Sequence, residues 1–308
     1  MKVLIVASYN KNRFVPFVKE QAEALQRVGC IVDFYGVVGK GVKGYLKSLP
    51  SLKEKIKEFQ PDIVHAHFGL CGLLANLQRK VPVVTTYHGC DINNIKIRPL
   101  SYPSLILSKY NIFVSNKQRK KVTISAGKNS CVIPCGVSMD FFISIDKQIA
   151  REKLNLSLTD KFVLFSSKFK RPEKNAQLAL EAIKLMENVT LLELDGYSRE
   201  EVVLLMNAVD CGLLTSIREG SPQFTKELLS CGTPVVSTNV GDVAEQFEGV
   251  EGVYISNFDA KDVADKVNLA IKHDKLKLPN DWNSKYDNKN IALNLMSIYN
   301  SINSIVKK

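Results

Sequence analysis

Short apolar runs alternate with helical periodicities along most of the chain, and this alternation constrains the fold more than any other feature. Runs rich in Val and Ile that lack a regular polar face are typical of strands buried on both faces of a parallel sheet. The stretches between them have helical spacing, as in Phe14, Val18, Ala22 and Leu25, and Gly29 follows where a left-handed C-cap belongs. The pattern predicts a doubly wound parallel α/β fold.

The predicted strands fall into two groups along the chain. Those of the first half are 3–7, 32–35, 63–65, 81–87, 112–114 and 131–133. Those of the second half are 162–165, 190–194, 211–215, 234–237 and 253–255, and the helices between them are 176–186, 200–208, 224–230 and 260–273. Because single cores stop growing at roughly 250–300 residues, two tandem Rossmann-like domains are expected.

The join between the predicted domains lies in the charged stretch 144–161, so we place domain boundaries at 1–146 and 147–287. The last segment, about 288–308, has one apolar stripe at helical spacing. We expect this helix to pack back on the first domain through the residues Ile291, Leu295, Ile298, Ile302 and Ile305.

Charge divides the chain unevenly. Residues 1–150 contain 22 Lys and Arg against 9 Asp and Glu, whereas residues 151–308 contain 20 against 22. A basic half indicates an anionic partner, which the composition leaves open among a nucleic acid, an acidic lipid surface and a phosphorylated substrate. With 45% hydrophobic and 24% charged residues, intrinsic disorder is excluded.

The cellular compartment is predicted from the cysteines and the first residues. The seven cysteines include no C-x-x-C pair, which favours core thiols in a reducing cytoplasm. The start MKVLIVASYN lacks the apolar region and cleavage site of a signal peptide, so Met1 is expected to remain the first residue. The stretch 63–78 is too short and polar to span a bilayer. We expect a cytoplasmic protein.

The most informative stretch for chemistry is 218–227, because ligands of doubly wound sheets bind beyond the carboxyl ends of the strands. Glu219 precedes a glycine, after which Ser221 and Pro222 open a helix whose N–H groups suit an anion, with Glu227 about one turn inside. Spacing alone leaves a capped surface helix with two solvated glutamates as the alternative. No G-x-G-x-x-G turn follows the first strand, which argues against a dehydrogenase.

Here the sequence resembles a known family. The E-x7-E pattern of Glu219 and Glu227, with the following KELLSCGTPVVSTNVGDVAE that ends at Glu245, is similar to the donor-site signature of the retaining GT-B glycosyltransferases of family four. The fold that this implies is two Rossmann-like domains facing a central cleft. Lys168, Lys174 and Asn175 resemble the family's G-R-(x5)-K-G segment, although a lysine stands for the arginine and the bidentate fork is lost.

The first half carries matching segments. PDIVHAH at 61–67, TTYHGCD at 85–91 and PCGV at 134–137 are similar to the family's P-D-I-V-H-x-H, H-G-x-D and P-N-G-V segments. The main departure is the absent Gly-rich loop after the first strand. The acceptor side is therefore the part on which the resemblance says least.

The resemblance implies transfer of a sugar from a nucleotide diphosphate sugar to an acceptor hydroxyl with retention of configuration. It assigns catalytic roles to Glu219 on the sugar hydroxyls, His88 on the sugar from the other domain and Lys174 on the diphosphate. The donor-binding residues implied are Lys168, Lys174, Arg171, Gly220, Ser221, Pro222, Gln223, Phe224, Thr225 and Glu227, the last on the ribose. Those proposed for the acceptor side are Tyr9, Asn10, His67 and Asp91.

No metal or other cofactor is expected, because the chain has no D-x-D triplet and lysines can neutralise the diphosphate. His65 and His67 lie two apart on one strand face, which fits buried histidines near the cleft better than a metal pair. A glycosidase reading of the two glutamates is disfavoured, since one lies on a loop and the other in a helix.

A basic amphipathic segment extends from Lys40 to Phe59, and a second basic cluster covers 117–121. The amphipathic segment is compatible with two interpretations. It docks on an anionic membrane leaflet that presents a lipid-linked acceptor, or it is a solvated lysine face over core residues. The partners expected are a nucleotide-sugar donor and a glycan or lipid-linked acceptor, with an anionic membrane surface as a further partner under the first of these two interpretations, and without nucleic acid.

The sequence leaves two alternative functions open. One is a nucleotide-sugar epimerase of the same architecture, which converts a donor without an acceptor. The other is a basic nucleic-acid-binding protein, although the chain lacks a recognisable reading motif. The leading hypothesis is a hexosyltransferase of cell-surface polysaccharide or glycolipid synthesis, peripheral on the cytoplasmic face of the membrane.

Overall fold

The computed structural model of the chain describes residues 1–122 and 129–306. Two compact units are present, Met1–Gly136 with Lys285–Lys308, and Val137–Ser284. The first boundary therefore precedes the predicted one after residue 146. The reason is local packing: Phe142 is buried and its carbonyl accepts a hydrogen bond from Ser230 Oγ at 2.6 Å, so this segment belongs with the second unit.

The first unit is a parallel sheet with helices on both faces. Within the described residues its strands are β1 Lys2–Ser8, β2 Ile31–Val37, β3 Ile63–His67, β4 Val83–Tyr87, β5 Tyr110–Phe113 and β6 Ser130–Val132. Their spatial order is β2-β1-β3-β4-β5-β6, and all neighbours are parallel. The helices are α1 Pro16–Arg27, α2 Gly41–Leu46, α3 Leu49–Phe59, α4 Gly69–Asn76, α5 Cys90–Asn93, α6 Tyr102–Leu107 and α7 Asn116–Arg119.

Alternate residues of β1 face different helices, as the two-residue period of a strand requires. Val3 and Ile5 lie in a core with Leu25 of α1, whereas Leu4 and Val6 lie in a core with α3 and α4. The last helix of the chain, Asn288–Val306, packs on the α1 face of this sheet through the buried residues Ile291, Leu295, Tyr299 and Ile302. The side chain of Ile305, which the sequence analysis included in this stripe, lies outside the described residues.

The second unit repeats this architecture. In the part of the chain that the structure describes, its strands are β7 Lys161–Phe165, β8 Val189–Glu193, β9 Cys211–Leu214, β10 Val235–Thr238 and β11 Val253–Ser256, in the order β11-β10-β9-β7-β8. Its helices are α8 Lys147–Lys153, α9 Ala176–Lys184, α10 Arg199–Ala208, α11 Gln223–Ser230, α12 Val243–Phe247 and α13 Ala260–Ala270, followed by α14 Trp282–Tyr286 at the boundary; the C-terminal helix Asn288–Val306 is α15.

The predicted fold class of two doubly wound parallel-sheet domains is confirmed, and each predicted strand overlaps an observed one. One further expectation is corrected, and one helix was not predicted. Cys90 is exposed at the start of α5, so the cysteines are not all core thiols. The helix α4 was not predicted, because its sequence GLCGLLAN is apolar almost all round and has no amphipathic period.

The basic amphipathic segment 40–59 forms α2 and α3. Its apolar side is used by the fold, since Leu52 and Ile56 are buried in the core of the first sheet and Tyr45, Leu49 and Phe59 pack against them. The lysines of this segment therefore lie over core residues. This is the second of the two interpretations that the sequence left open.

Candidate active site

The strand order of the second sheet brings three loops to one edge. The strands β10, β9 and β7 are neighbours, so the loops that follow their carboxyl ends lie side by side. Lys174 ends a 3₁₀ turn after β7, Glu219 follows β9, and Asp242 follows β10. Residues that are distant in the sequence therefore meet at the position where a ligand of such a sheet binds.

Glu219 and Lys174 form the centre of this edge. Lys174 Nζ lies 2.7 Å from Glu219 Oε1, and the same oxygen accepts a hydrogen bond from Ser216 Oγ at 2.8 Å. Their side chains are only 12% and 17% exposed, which strengthens the attraction relative to a fully solvated pair. Thr215 Oγ1 also donates to the carbonyl of Lys174 at 3.0 Å, so the two loops are fixed to one another.

Glu227 lies inside α11, and a residue that the sequence analysis missed holds it. Arg199 Nη2 donates to Glu227 Oε1 at 2.7 Å, and its guanidinium lies 4.5 Å from the ring centre of Phe142. Arg199 is the first residue of α10, where Ser198 and Glu201 form a capping box. The S-x-x-E pattern marks the start of that helix, but no local pattern shows that this start faces α11.

The two other predicted phosphate-binding cations are held by carboxylates. Lys168 Nζ lies 2.6 Å from Asp195 Oδ1, and the side chain of this lysine is more than half exposed. Arg171 Nε donates to Glu173 Oε1 at 2.8 Å, and its Nη1 reaches Ser167 Oγ at 3.4 Å. A phosphate that uses these cations has to compete with Asp195 and Glu173.

A buried polar network supports the loop 220–222 from below. Lys226 is fully buried in α11 and donates from Nζ to Ser221 Oγ at 2.5 Å, and Ser221 Oγ in turn donates to Asp242 Oδ2 at 2.8 Å. Burial raises the pKa of Asp242, although Lys226 opposes this. Gln246 adds a hydrogen bond from Nε2 to Asp242 Oδ1 at 2.8 Å. Lys226 was not predicted because an ionisable residue next to Glu227 is expected at the surface, and Asp242 was not predicted because it lies after a different strand, β10.

The predicted donor-binding stretch 220–225 is therefore only partly available through side chains. Phe224 packs inside near Gly212, and Thr225 Oγ1 donates to the carbonyl of Pro222 at 3.1 Å. Gln223 is half-buried at the first position of α11. What this stretch presents to an anion is mainly its main chain at the start of a helix.

In the first unit, three histidine rings stack in series at the carboxyl ends of β3 and β4. The ring centres of His65 and His67 are 4.6 Å apart, and those of His67 and His88 are 5.1 Å apart. His67 Nδ1 lies 2.8 Å from His88 Nε2, and Cys135 Sγ lies 3.5 Å from His88 Nδ1. Both ring nitrogens of His88 thus have neighbours inside the unit, and a sugar contact by this ring requires one of them to be released.

Burial determines the charge of these rings. It lowers the pKa of His65 to about 3 and that of His88 to about 3, and the pKa of His67 is also well below its usual value. His65 is satisfied by Tyr299 Oη at 2.6 Å and by Thr86 Oγ1 at 2.7 Å, as expected for a buried histidine. His67 Nε2, by contrast, is buried and has no hydrogen-bond partner among the described residues.

The other predicted acceptor-side residues have structural contacts. Asp91 is buried, and its carboxylate accepts from Gly89 N at 2.9 Å and from Gly69 N at 3.2 Å; burial raises its pKa to about 6. The side chain of Asn10 forms two hydrogen bonds of 2.8 Å with the main chain of Gly39. The ring of Tyr9 lies 4.8 Å from that of Phe14 in a tilted arrangement. The structure thus brings His67, His88 and Asp91 to the β3–β4 end of the sheet, and Tyr9 and Asn10 to the β1–β2 end.

Phe68, directly after β3, has a backbone φ of 73°. Such a value is a genuine outlier for a bulky residue and is held here by the surrounding structure. Its ring lies 4.8 Å from that of His88, and Phe17 of α1 lies 4.7 Å from the same ring. These two aromatic rings flank His88, and no sequence pattern indicated either of them.

Comparisons with known proteins identify the family. A model of Glycosyltransferase Family 4 matches residues 10–141, and a model of Glycosyl transferases group 1 matches residues 139–273. Together they cover most of the chain, which therefore belongs to the family-4 glycosyltransferases. The GT-B fold is that of Alr3699/HepE from Anabaena, solved in complex with UDP and glucose, with a TM-score of 0.75 and 15% identity over 98% of this chain and 100% of that chain.

Two relatives are similar in sequence. A protein of Bacillus subtilis that carries the name teichuronic acid biosynthesis glycosyltransferase TuaC is 22% identical over 76% of this chain. The D-inositol 3-phosphate glycosyltransferase of Mycobacterium marinum is 24% identical over 64% of this chain. The matches span 67% of the first relative and 53% of the second, so the chain corresponds to only part of their length.

A cluster of metal ligands and a membrane-spanning helix are both absent from the part of the chain that the structure describes. No group of three or more His, Cys, Asp or Glu in 1–122 and 129–306 is arranged to hold a metal ion. Over the same described ranges, no helix combines the length and the apolarity that crossing a bilayer requires.

Proposed function

We propose that this glycosyltransferase moves a hexose from a nucleoside diphosphate sugar to an acceptor hydroxyl with retention of configuration, in the synthesis of a cell-surface polysaccharide or glycolipid. The observation that carries the proposal is the Lys174–Glu219 contact of 2.7 Å at the carboxyl edge of the second sheet. A largely buried ammonium and carboxylate at this position offer one group for a diphosphate and one for sugar hydroxyls.

In this proposal, donor binding replaces the contact between Lys174 and Glu219 with contacts from each residue to the donor. The diphosphate takes the Lys174 ammonium together with the main-chain N–H groups at the start of α11, which stabilise the negative charge of the leaving group. Glu219, released from Lys174, accepts hydrogen bonds from the sugar. Glu227 accepts hydrogen bonds from the ribose, and Arg199 positions its carboxylate.

The comparisons support the substrate classes without fixing them. The structural neighbour HepE was solved with UDP and glucose, which favours a nucleotide-sugar donor. TuaC is named for teichuronic acid synthesis, and the mycobacterial relative is named for a phosphorylated inositol acceptor. Since the first half of this chain is strongly basic, an anionic acceptor, either lipid-linked or phosphorylated, fits best.

The central test removes each partner of the contact. We expect Glu219→Ala and Lys174→Ala each to lower sugar transfer at least about 100-fold, because each removes a preorganised electrostatic contact. Glu181→Ala and Lys184→Ala on the exposed side of α9 serve as matched controls and should retain transfer. Transfer at the level of the unsubstituted protein in both site variants, with all four folded, would show that the site is elsewhere.

The donor and the reaction class are tested together. A thermal-shift panel of UDP, GDP, ADP and their sugars identifies the donor by its largest shift, since a ligand that binds only the folded state raises stability. Product analysis without acceptor then separates the alternatives. An isomerised sugar nucleotide would identify an epimerase, whereas tight salt-sensitive binding to nucleic acid without sugar transfer would identify a nucleic-acid-binding protein.

We further propose that the diphosphate is neutralised without a metal ion. The cations Lys174, Lys168 and Arg171 and the helix N-terminus supply the positive charge. Transfer should then be unchanged by a chelator and by added Mg²⁺ or Mn²⁺. Loss of transfer in the chelator, restored by one of these ions, would contradict this.

A further inference from the structure

One part of the first unit is depleted of negative charge. Between Asp91 and Asp140 the sequence contains no Asp or Glu. The same stretch contains the basic residues Lys96, Arg98, Lys109, Lys117, Arg119, Lys120, Lys121 and Lys128. A charge imbalance of this size within one segment produces a local positive field that attracts an anionic surface.

The same stretch exposes large apolar side chains. Ile95 is 75% exposed and Ile106 is 70% exposed, and between them Ile97 and Leu100, with Leu107 beyond, are exposed to more than a third. All five lie in the segment 95–107, which runs from the end of α5 through a 3₁₀ turn to the end of α6. Five exposed aliphatic side chains within one short segment favour an interaction surface along that segment.

The basic groups adjoin this apolar segment. Arg98 Nη1 donates to the carbonyl of Lys121 at 3.2 Å, and Lys121 Nζ donates to Asn93 Oδ1 at 2.9 Å. These two hydrogen bonds hold Lys121, which follows α7, beside the start of segment 95–107. Partial burial, together with the charges of Arg98 and Lys117, lowers the pKa of Lys121, which means that like charges are held close to one another.

This surface differs from the one that the basic segment 40–59 suggested. In α2 and α3 the apolar residues Leu52 and Ile56 are buried in the core, and Leu46 is the one large hydrophobic side chain of these two helices that is exposed to more than a third. In segment 95–107 charge and apolar side chains are exposed together, which is the combination that partitions into a membrane interface. Ser101 Oγ also donates to the carbonyl of Asp91 at 3.0 Å, so the segment adjoins the predicted acceptor side.

We propose that segment 95–107, together with Lys120 and Lys121, docks the protein on an anionic lipid surface. The isoleucines enter the headgroup region, and the lysines contact the anionic headgroups. The docking proposal rests on the proposed function, because docking serves to bring a lipid-linked acceptor beside Asp91. A nucleic acid fits less well, because the exposed residues are aliphatic and offer no ring on which bases stack.

The test measures sedimentation of the full chain with vesicles of phosphatidylcholine alone or mixed with phosphatidylglycerol, without donor or acceptor. We expect binding only to the anionic vesicles. Because each surface lysine contributes roughly a fivefold gain in affinity, the triple variant Lys96→Gln, Lys120→Gln and Lys121→Gln should bind about 100-fold more weakly. Ile95→Ser with Ile106→Ser should lose about tenfold or more at unchanged charge.

Matched controls change as many exposed residues elsewhere. Lys47→Gln, Lys53→Gln and Lys57→Gln remove three exposed lysines of the segment 40–59, and Leu158→Ser with Leu185→Ser removes two exposed leucines of the second unit. Both control sets should bind anionic vesicles as the unsubstituted protein does. Equal loss in the controls would show that net charge or general apolarity is responsible and would overturn the assignment.

Other outcomes also decide. Binding to nucleic acid but not to anionic vesicles would overturn the proposal, and so would a dimer that Ile95→Ser with Ile106→Ser dissociates. Sugar transfer to a short water-soluble acceptor separates this proposal from the proposed function. We expect the docking variants to lose vesicle binding and to keep this transfer. If the unsubstituted protein transferred sugar but did not bind vesicles, the docking proposal would be refuted and the proposed function would stand.

Discussion

Lys226 shows how a single residue shapes the donor loop. A lysine that is fully buried in α11 needs polar partners, and here Nζ donates to Ser221 Oγ and lies 4.0 Å from Asp242 Oδ2. Ser221 is the residue after Gly220, so this network fixes the loop between Glu219 and α11. We infer that Lys226 is a positioning residue, which touches no substrate but determines where the loop main chain lies.

Lys226→Met removes the cation and leaves the buried Asp242 without its charge partner. We expect a loss of about 3 kcal/mol in the free energy of unfolding, because breaking one side of a buried pair is costly. We also expect a raised KM for the donor with a smaller change in kcat. Urea unfolding and initial rates measure the two effects.

The double variant Lys226→Met with Asp242→Asn separates structure from positioning. It removes the uncompensated charge, so most of the lost stability should return. If the donor KM of this double variant also returned to that of the unsubstituted protein, Lys226 would have no positioning role.

At the scale of elements, two loops of the second unit approach through glycines. Gly241, in the loop after β10, has a φ of 54°, and a Cβ there would lie 2.6 Å from the carbonyl oxygen of Gly220. The loop after β9 therefore keeps its course only if position 241 has no side chain.

Gly241→Ala should displace the loop that contains Gly220 and lower sugar transfer about tenfold or more. Gly249→Ala is the matched control, since Gly249 has a φ of 72° but its added Cβ would meet only Pro279 Cγ at 3.3 Å. Both substitutions strain the backbone by about 1 kcal/mol or more, so both should lower the melting temperature. Transfer reduced equally in the two would mean that strain, rather than the loop contact, is the cause.

The elements themselves were largely predictable, for a physical reason. Strands buried on both faces need continuous apolar runs, so β1 and β9 are visible in the sequence, and α15 has a clear apolar stripe. The helix α4 was missed because it is apolar almost all round, and its Gly72 serves packing, since a Cβ there would lie 2.7 Å from Thr85 Cγ2. Contacts of this kind depend on a neighbouring element and leave no periodic signal.

At the scale of the molecule, the sequence predicted those residues of the candidate site that lie in one of the short segments resembling the family. The resemblance located Glu219 and Glu227, and Lys174 by a second segment, but Arg199 and Asp242 came only from the structure. These two reach the site because α10 starts beside α11 and because β10 lies next to β9. Topology of that kind depends on the packing of the whole sheet, which short sequence windows do not contain.

Opposing pKa shifts in the first unit determine how its stability depends on pH. The pKa values of His65, His67 and His88 are lowered, so the folded state excludes protons that the unfolded histidines bind below about pH 6.5. The stability that the neutral buried histidines provide above about pH 6.5 is therefore lost as the pH falls below that value. The pKa of Asp91 is raised to about 6, so its protonation favours the folded state as the pH falls through 6 and offsets one of the three histidines.

The net effect between pH 6.5 and 5 is therefore proton uptake on unfolding, and the first unit should lose on the order of a few kcal/mol of stability over this range. Hydrogen exchange of β3 and β4, corrected for the intrinsic rate at each pH, measures it. Strands β9 and β10 serve as the internal control, because these three histidines all lie in the first unit. Asp91→Asn should steepen the loss, since it removes the offsetting proton; protection of β3 and β4 that is unchanged or increased at pH 5 would show that the stacked histidines already carry charge in the folded protein.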